Sequence, residues 1–244
     1  MKKFTHFISL GYFCSVALEL ERMGLRSTSS PFDWCISEFK GVINAIDNHF
    51  EEYLAYEVLA QDKESHGRYK NEKYNVAFWH DFNKYVSLKE QISDVQKKYD
   101  RRIERFYENI CEPTLFVRYI SDELLTSEGK SEELEYIESN YIKILSLLKS
   151  YNSENEIIFI ANKGVNSDLI KIYQVEKDEN DVVARKPITK NDELFAFLNQ
   201  FEYKEKESNL IRYKNKKRTS RICRKLESII KSMLHEDYIH CKQY

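Results

Sequence analysis

The residues most able to do chemistry are a cysteine and a histidine in unlike settings. Cys14 lies three residues after Gly11, in FISLGYFC. A short apolar strand, a glycine turn and a helix opening near Cys14 would place its thiol at a helix N-terminus. Unpaired N–H groups and the helix dipole there favour an anion, and so a thiolate. His80 follows the apolar run YNVAFW and has Asp81 beside it. A thiol and an imidazole together suit attack on a carbonyl, with the imidazole carrying the proton. Neighbouring residues on a strand face opposite ways, so Asp81 orients His80 only if the strand ends there; Asp33, Asp122 or Asn162 are the alternatives. Cys14 read only for packing is a small apolar core residue.

Asp33 and Trp34 close the run SSPFDW, whose pattern fits neither the helix nor the strand period and reads as a loop. Asp33 either caps the next helix or lines a pocket, and Phe32 and Trp34 are either core anchors or a platform for substrate. Arg118 and the trio Arg101, Arg102 and Arg105 are cations suited to phosphate or carboxylate; the trio equally fits a solvated, ion-paired helix face. Ser9 and Gly11 belong to the turn that would hold the reacting group. The turn SLGYFC matches neither a dinucleotide fingerprint nor a Walker loop. His235, His240 and Cys241 share a terminal segment that could hold a metal only by folding back, so no metal or other cofactor is expected.

The elements that must position these residues alternate. Strand-like runs at 7–10, 74–82, 114–120 and 156–164 are separated by helical patterns at 14–24, 38–54, 87–110 and 131–148. That order predicts an α/β fold with an open, largely parallel sheet flanked by helices. A hairpin is expected over 168–175 and 182–188, and a helix over 192–201. In open α/β sheets ligands gather beyond the carboxyl ends of the strands. Those ends would carry Gly11–Cys14, His80–Asp81, Arg118 with Asp122, and Asn162–Gly164.

With 244 residues the chain can bury a large core, and we divide it into an α/β domain over 1–205 and a basic helical extension over 206–244. Its net charge of −2 gives no general pull toward nucleic acid. The basic run 212–225 reads as a solvated helix or as a peripheral contact with an anionic membrane. Five cysteines without paired spacing, and no signal peptide, predict reduced thiols and a cytoplasmic location.

Four segments together resemble a known family: FISLGYFCSVALELERMGLRSTSSPFDW, FWHDF, KYDRRIERF and TLFVRYISDE. The resemblance is to a bacterial domain family of uncharacterised function, described as papain-like cysteine peptidases and often found near surface-polysaccharide genes. It covers roughly residues 7–165. Its motif resembles SLG-x-x-C, then PFDW, then HD, carried here by Ser9, Leu10, Gly11 and Cys14, by Pro31–Trp34, and by His80–Asp81. The resemblance implies a nucleophile at Cys14 and a base at His80. The expected function is therefore a thiol-dependent hydrolase or acyltransferase acting on a small-molecule, peptide or glycan substrate. A glycan- or phosphate-binding protein, or a glycosyltransferase-like enzyme using Asp33, His80 and Arg118, is the alternative on the same rim.

Overall fold

The computed structural model describes residues 3–61, 68–201, 203, 205–221 and 224. His66, Cys223, His235, His240 and Cys241, and with them the terminal metal-binding suggestion, lie outside those residues.

A parallel sheet organises the chain. Strands β1 (His6–Ser9), β6 (Thr114–Tyr119), β7 (Glu156–Asn162) and β8 (Ile172–Val175) lie side by side in that order. All three pairings are parallel. Strands of such a sheet are buried on both faces, so their side chains are apolar in succession. Thr114–Tyr119 is buried throughout. Leu115, Val117 and Tyr119 face one core, with Phe7, Ile160, α1 (Cys14–Arg22) and α5 (Asp192–Asn199). Phe116 and Ile120 face the other, with Phe159 and helices α2 (Phe39–Asp47), α3 (Leu88–Ile110) and α4 (Glu132–Tyr151). Strand alternation puts Arg118 on this second face, among aromatic rings.

The helices begin where the sequence places a cap. Ser87 and Glu90 form a capping box before α3. The Ser131 hydroxyl accepts the Leu134 amide at 3.1 Å before α4, whose first turn carries Glu132, Glu133 and Glu135. Asn191 accepts the Leu194 amide at 2.8 Å before α5.

A second, antiparallel sheet was not foreseen. It runs in the order β2 (Cys35–Ser37), β5 (Val76–Phe78), β4 (Tyr69–Asn71) and β3 (Leu59–Gln61). These strands have three residues each, too short for a period of two to stand out. The expected hairpin is also absent: 172–175 is the fourth parallel strand, and 182–188 contains no strand. Beyond α5, the described residues 206–221 are helical, as expected of the basic extension. Among the described residues no helix is long and apolar enough to cross a membrane.

Candidate functional site

The carboxyl ends of the parallel strands form one polar rim. After β1 the chain turns at Gly11, whose φ of +79° favours glycine. A Cβ there would also lie 2.5 Å from the Ser37 hydroxyl and 3.3 Å from an Arg118 nitrogen. The Gly11 amide donates to the Ser9 hydroxyl at 3.2 Å, so buried Ser9 shapes the turn from within. Phe13 then takes an extended N-cap conformation without side-chain capping, and Cys14 opens α1 half-buried. Burial pushes the Cys14 thiol above its ordinary value, against a backbone hydrogen bond that lowers it; the charge of Asp181 pushes it further up.

Asn162, at the end of β7, joins the neighbouring loops. Its amide nitrogen donates to the Asp122 carboxylate at 2.9 and 3.1 Å and to the Val182 carbonyl at 2.9 Å. Its oxygen accepts the Tyr119 hydroxyl at 2.6 Å, and that hydroxyl accepts the Ala184 amide at 3.1 Å. The Tyr12 hydroxyl donates to Glu123. Arg185 pairs with Asp181 at 3.0 Å. The rim therefore gathers a thiol, two tyrosines, an asparagine and the carboxylates of Asp122, Glu123 and Asp181.

His80 and Asp81 belong to a different place. They follow β5 of the antiparallel sheet, where Val76 pairs with Ser37 and Phe78 with Cys35. The Ser37 amide donates to the Tyr12 carbonyl at 3.2 Å, so β5 passes the rim at Val76 and runs away from it. Exposed His80 makes no hydrogen bond or ion pair among the described residues, and none joins it to Cys14. Asp81 turns inward instead. It accepts the Tyr99 hydroxyl at 2.8 Å and an ammonium hydrogen bond from Lys98, with Arg102 at 3.8 Å. The Tyr99 hydroxyl also lies 3.4 Å from the sulfur of buried Cys35, whose thiol burial raises to about 12.

The other expected site residues divide in the same way. Asp33 is fully buried; it accepts the Ser30 amide at 2.9 Å and a hydrogen bond from Arg26, which closes the 26–33 loop rather than capping a helix. Burial raises its carboxyl, opposed chiefly by the Arg26 charge. Trp34 is half-buried with the Arg26 guanidinium 5.4 Å from its ring centre, away from the rim. Arg118 is not a substrate cation: none of its side chain is exposed. It donates to the Leu10 carbonyl at 2.9 Å, to the Ser37 hydroxyl and carbonyl at 3.0 and 2.6 Å, and to both Glu133 oxygens at 2.9 and 2.6 Å. Arg102 is nearly buried against Asp81, so neither it nor Arg118 is presented as an open cation for a phosphate or carboxylate.

Three rim or support residues escaped the sequence reading. Asp181 sits in the turn KDEND with nothing to set it apart. Tyr119 reads as strand core, and Glu133 as one of several acids in a helix first turn. Among the described residues no group of three or more acids, histidines or cysteines is placed to hold a metal.

Residues 5–163 match the family described as "putative papain-like cysteine peptidase". The chain belongs to this family. The uncharacterised protein R408 of Acanthamoeba polyphaga mimivirus is 27% identical over a 201-residue alignment that covers 74% of this chain and 87% of that one. No solved structure matches. The family segment holds β1 through β7, and so Cys14, Tyr119, Asp122 and Asn162. Asp181 and α5 lie beyond it.

Proposed function

We propose that the protein is a thiol-dependent acyl hydrolase or acyltransferase with Cys14 as its nucleophile. The observation that carries this reading is the position of Cys14. It opens α1 directly after the Gly11 turn, at the carboxyl rim of a parallel sheet, with Asn162, Asp122 and Asp181 on the same rim. Membership in a family described as cysteine peptidases supports it.

A thiol raised by burial calls for a base at the moment of attack, and we assign that role to Asp181, whose charge acts on it. The Cys14 sulfur bonds to the acyl carbon as its proton passes to Asp181 and the carbonyl electrons move onto oxygen. Amides of the first turn of α1, which no side chain caps, point toward that oxygen's charge. Collapse breaks the bond to the leaving group, which takes the proton. Water, or a second acceptor, then attacks the thioester and frees the thiol.

The test is intact-mass analysis after brief reaction with p-nitrophenyl acetate, followed by peptide mapping. One acetyl group on Cys14, absent in Cys14→Ala and unchanged within about twofold in His80→Ala, is the expected result. Acetylation of exposed Cys111 with Cys14 untouched overturns the reading. Loss of Cys14 acetylation in His80→Ala would replace Asp181 by His80 as the base.

A further inference from the structure

A second cleft lies at the far end of α1. The helix has nine residues, so at 1.5 Å per residue about 13 Å separate this end from Cys14. The helical stretch 206–221 closes the cleft by packing on the turn after α1. Gly24 has a φ of +73°, and a Cβ there would sit 2.6 Å from the Lys206 carbonyl oxygen. The opposite wall is the loop 26–29 with Trp34.

The polar groups of this cleft are incompletely matched. Among the described residues, Arg26, Arg212 and Lys216 line it with a single carboxylate, Glu21. Glu21 pairs with Lys216 at 2.9 Å and with Arg26 at 3.2 Å, and Arg26 also pairs with Asp33. Arg212 donates to the Ser27 carbonyl at 3.1 Å and meets no carboxylate among the described residues. The amides of Ser27, Thr28 and Ser29 likewise donate to nothing among the described residues. Asn209 lines the same cleft and is only 4% exposed. Its amide nitrogen donates to the Gly24 carbonyl at 3.1 Å and its side chain also meets the Tyr203 hydroxyl, while its oxygen is buried without a partner among the described residues.

These groups ask for two things at once. A surplus cation and free loop amides suit an anion, most strongly a phosphate. An orphaned buried acceptor needs a donor, which a fully ionised phosphate lacks and a hydroxyl supplies. The half-buried Trp34 ring offers a face for an aliphatic ring or chain.

We propose that this cleft binds a phosphate monoester of a sugar or polyol. The phosphate lies against Arg212, Lys216 and the 27–29 amides, and a turn of the Asn209 side chain toward the cleft lets a hydroxyl donate to its oxygen. The site is separate from Cys14, and its test does not depend on activity.

Isothermal titration of the full chain compares glucose 1-phosphate, inorganic phosphate and glucose. We expect glucose 1-phosphate to bind about tenfold more tightly than inorganic phosphate, and glucose alone to give no heat. The double variant Arg212→Gln, Lys216→Gln, changed at two exposed side chains, should weaken that binding by about tenfold or more, with an unchanged melting temperature in the absence of ligand. Three results overturn the proposal: no binding of glucose 1-phosphate, equal binding of inorganic phosphate, or equal binding by the double variant.

Discussion

Two thiols in this protein are both pushed up by burial, yet only Cys14 of the two keeps partial access to solvent. Cys14, on the rim of the parallel sheet, feels the charge of Asp181 and stays half-exposed. Cys35, between the two sheets, touches Tyr99, which bonds Asp81. Burial there is complete, and it carries the Cys35 thiol far from ionisation. The same residue type makes a candidate nucleophile in one place and an inert core group in the other, because access and dielectric differ rather than chemistry.

The largest effect is expected where the two regions are tied together. Arg118 reaches Leu10 behind the rim and Ser37 of the second sheet while pairing with Glu133. Replacing Arg118 by Met leaves Glu133 buried and unpaired, and should cost about 3–5 kcal/mol in urea unfolding. A loss below about 1 kcal/mol would show that this tie behaves like a surface ion pair.

A smaller effect separates the two thiols directly. Tyr99→Phe removes the hydroxyl between Cys35 and Asp81 and should cost about 1–2 kcal/mol in the same unfolding assay. Native Cys35 should resist iodoacetamide at pH 8 in the parent protein and react only in urea. Labelling of native Cys35 at the rate of exposed Cys111 would erase the contrast.

The smallest effect concerns charge on the rim. Burial holds the Cys14 thiol up and the charge of Asp181 adds to it, so Asp181→Asn should move the pH midpoint of Cys14 alkylation downward. The raised thiol also has a sign for stability. A folded-state value above the unfolded one means the folded protein holds the Cys14 proton more tightly. That contribution is whole below the unfolded value and fades as pH rises through the folded one. An unmoved or rising midpoint in Asp181→Asn would remove Asp181 from the neighbourhood of the sulfur.

Much of the scaffold was legible because it repeats a period. The helices α3 and α4 announced themselves by apolar stripes and by Ser87 and Ser131 at their starts, and β6 and β7 by apolar runs. The rim was legible for the same reason: Gly11, Cys14, Asp122 and Asn162 end or follow parallel strands, and such ends converge whatever the details of packing. The pairing of Cys14 with His80 was not decidable in this way. His80 follows a three-residue strand that joins a separate antiparallel sheet, and pairing between short strands is set by long-range contacts that leave no local mark.

The sequence by itself determined the helix starts, the parallel strands and the place of Cys14 at a helix opening, since each depends on neighbours close in the chain. Only the tertiary structure decided which polar residues meet. It took Arg118 out of reach of solvent, turned Asp81 toward Tyr99, and brought the charge of Asp181 from a plain turn close enough to act on the thiol. Burial and charge at a point depend on everything packed around it, and that is fixed only when the whole chain has folded.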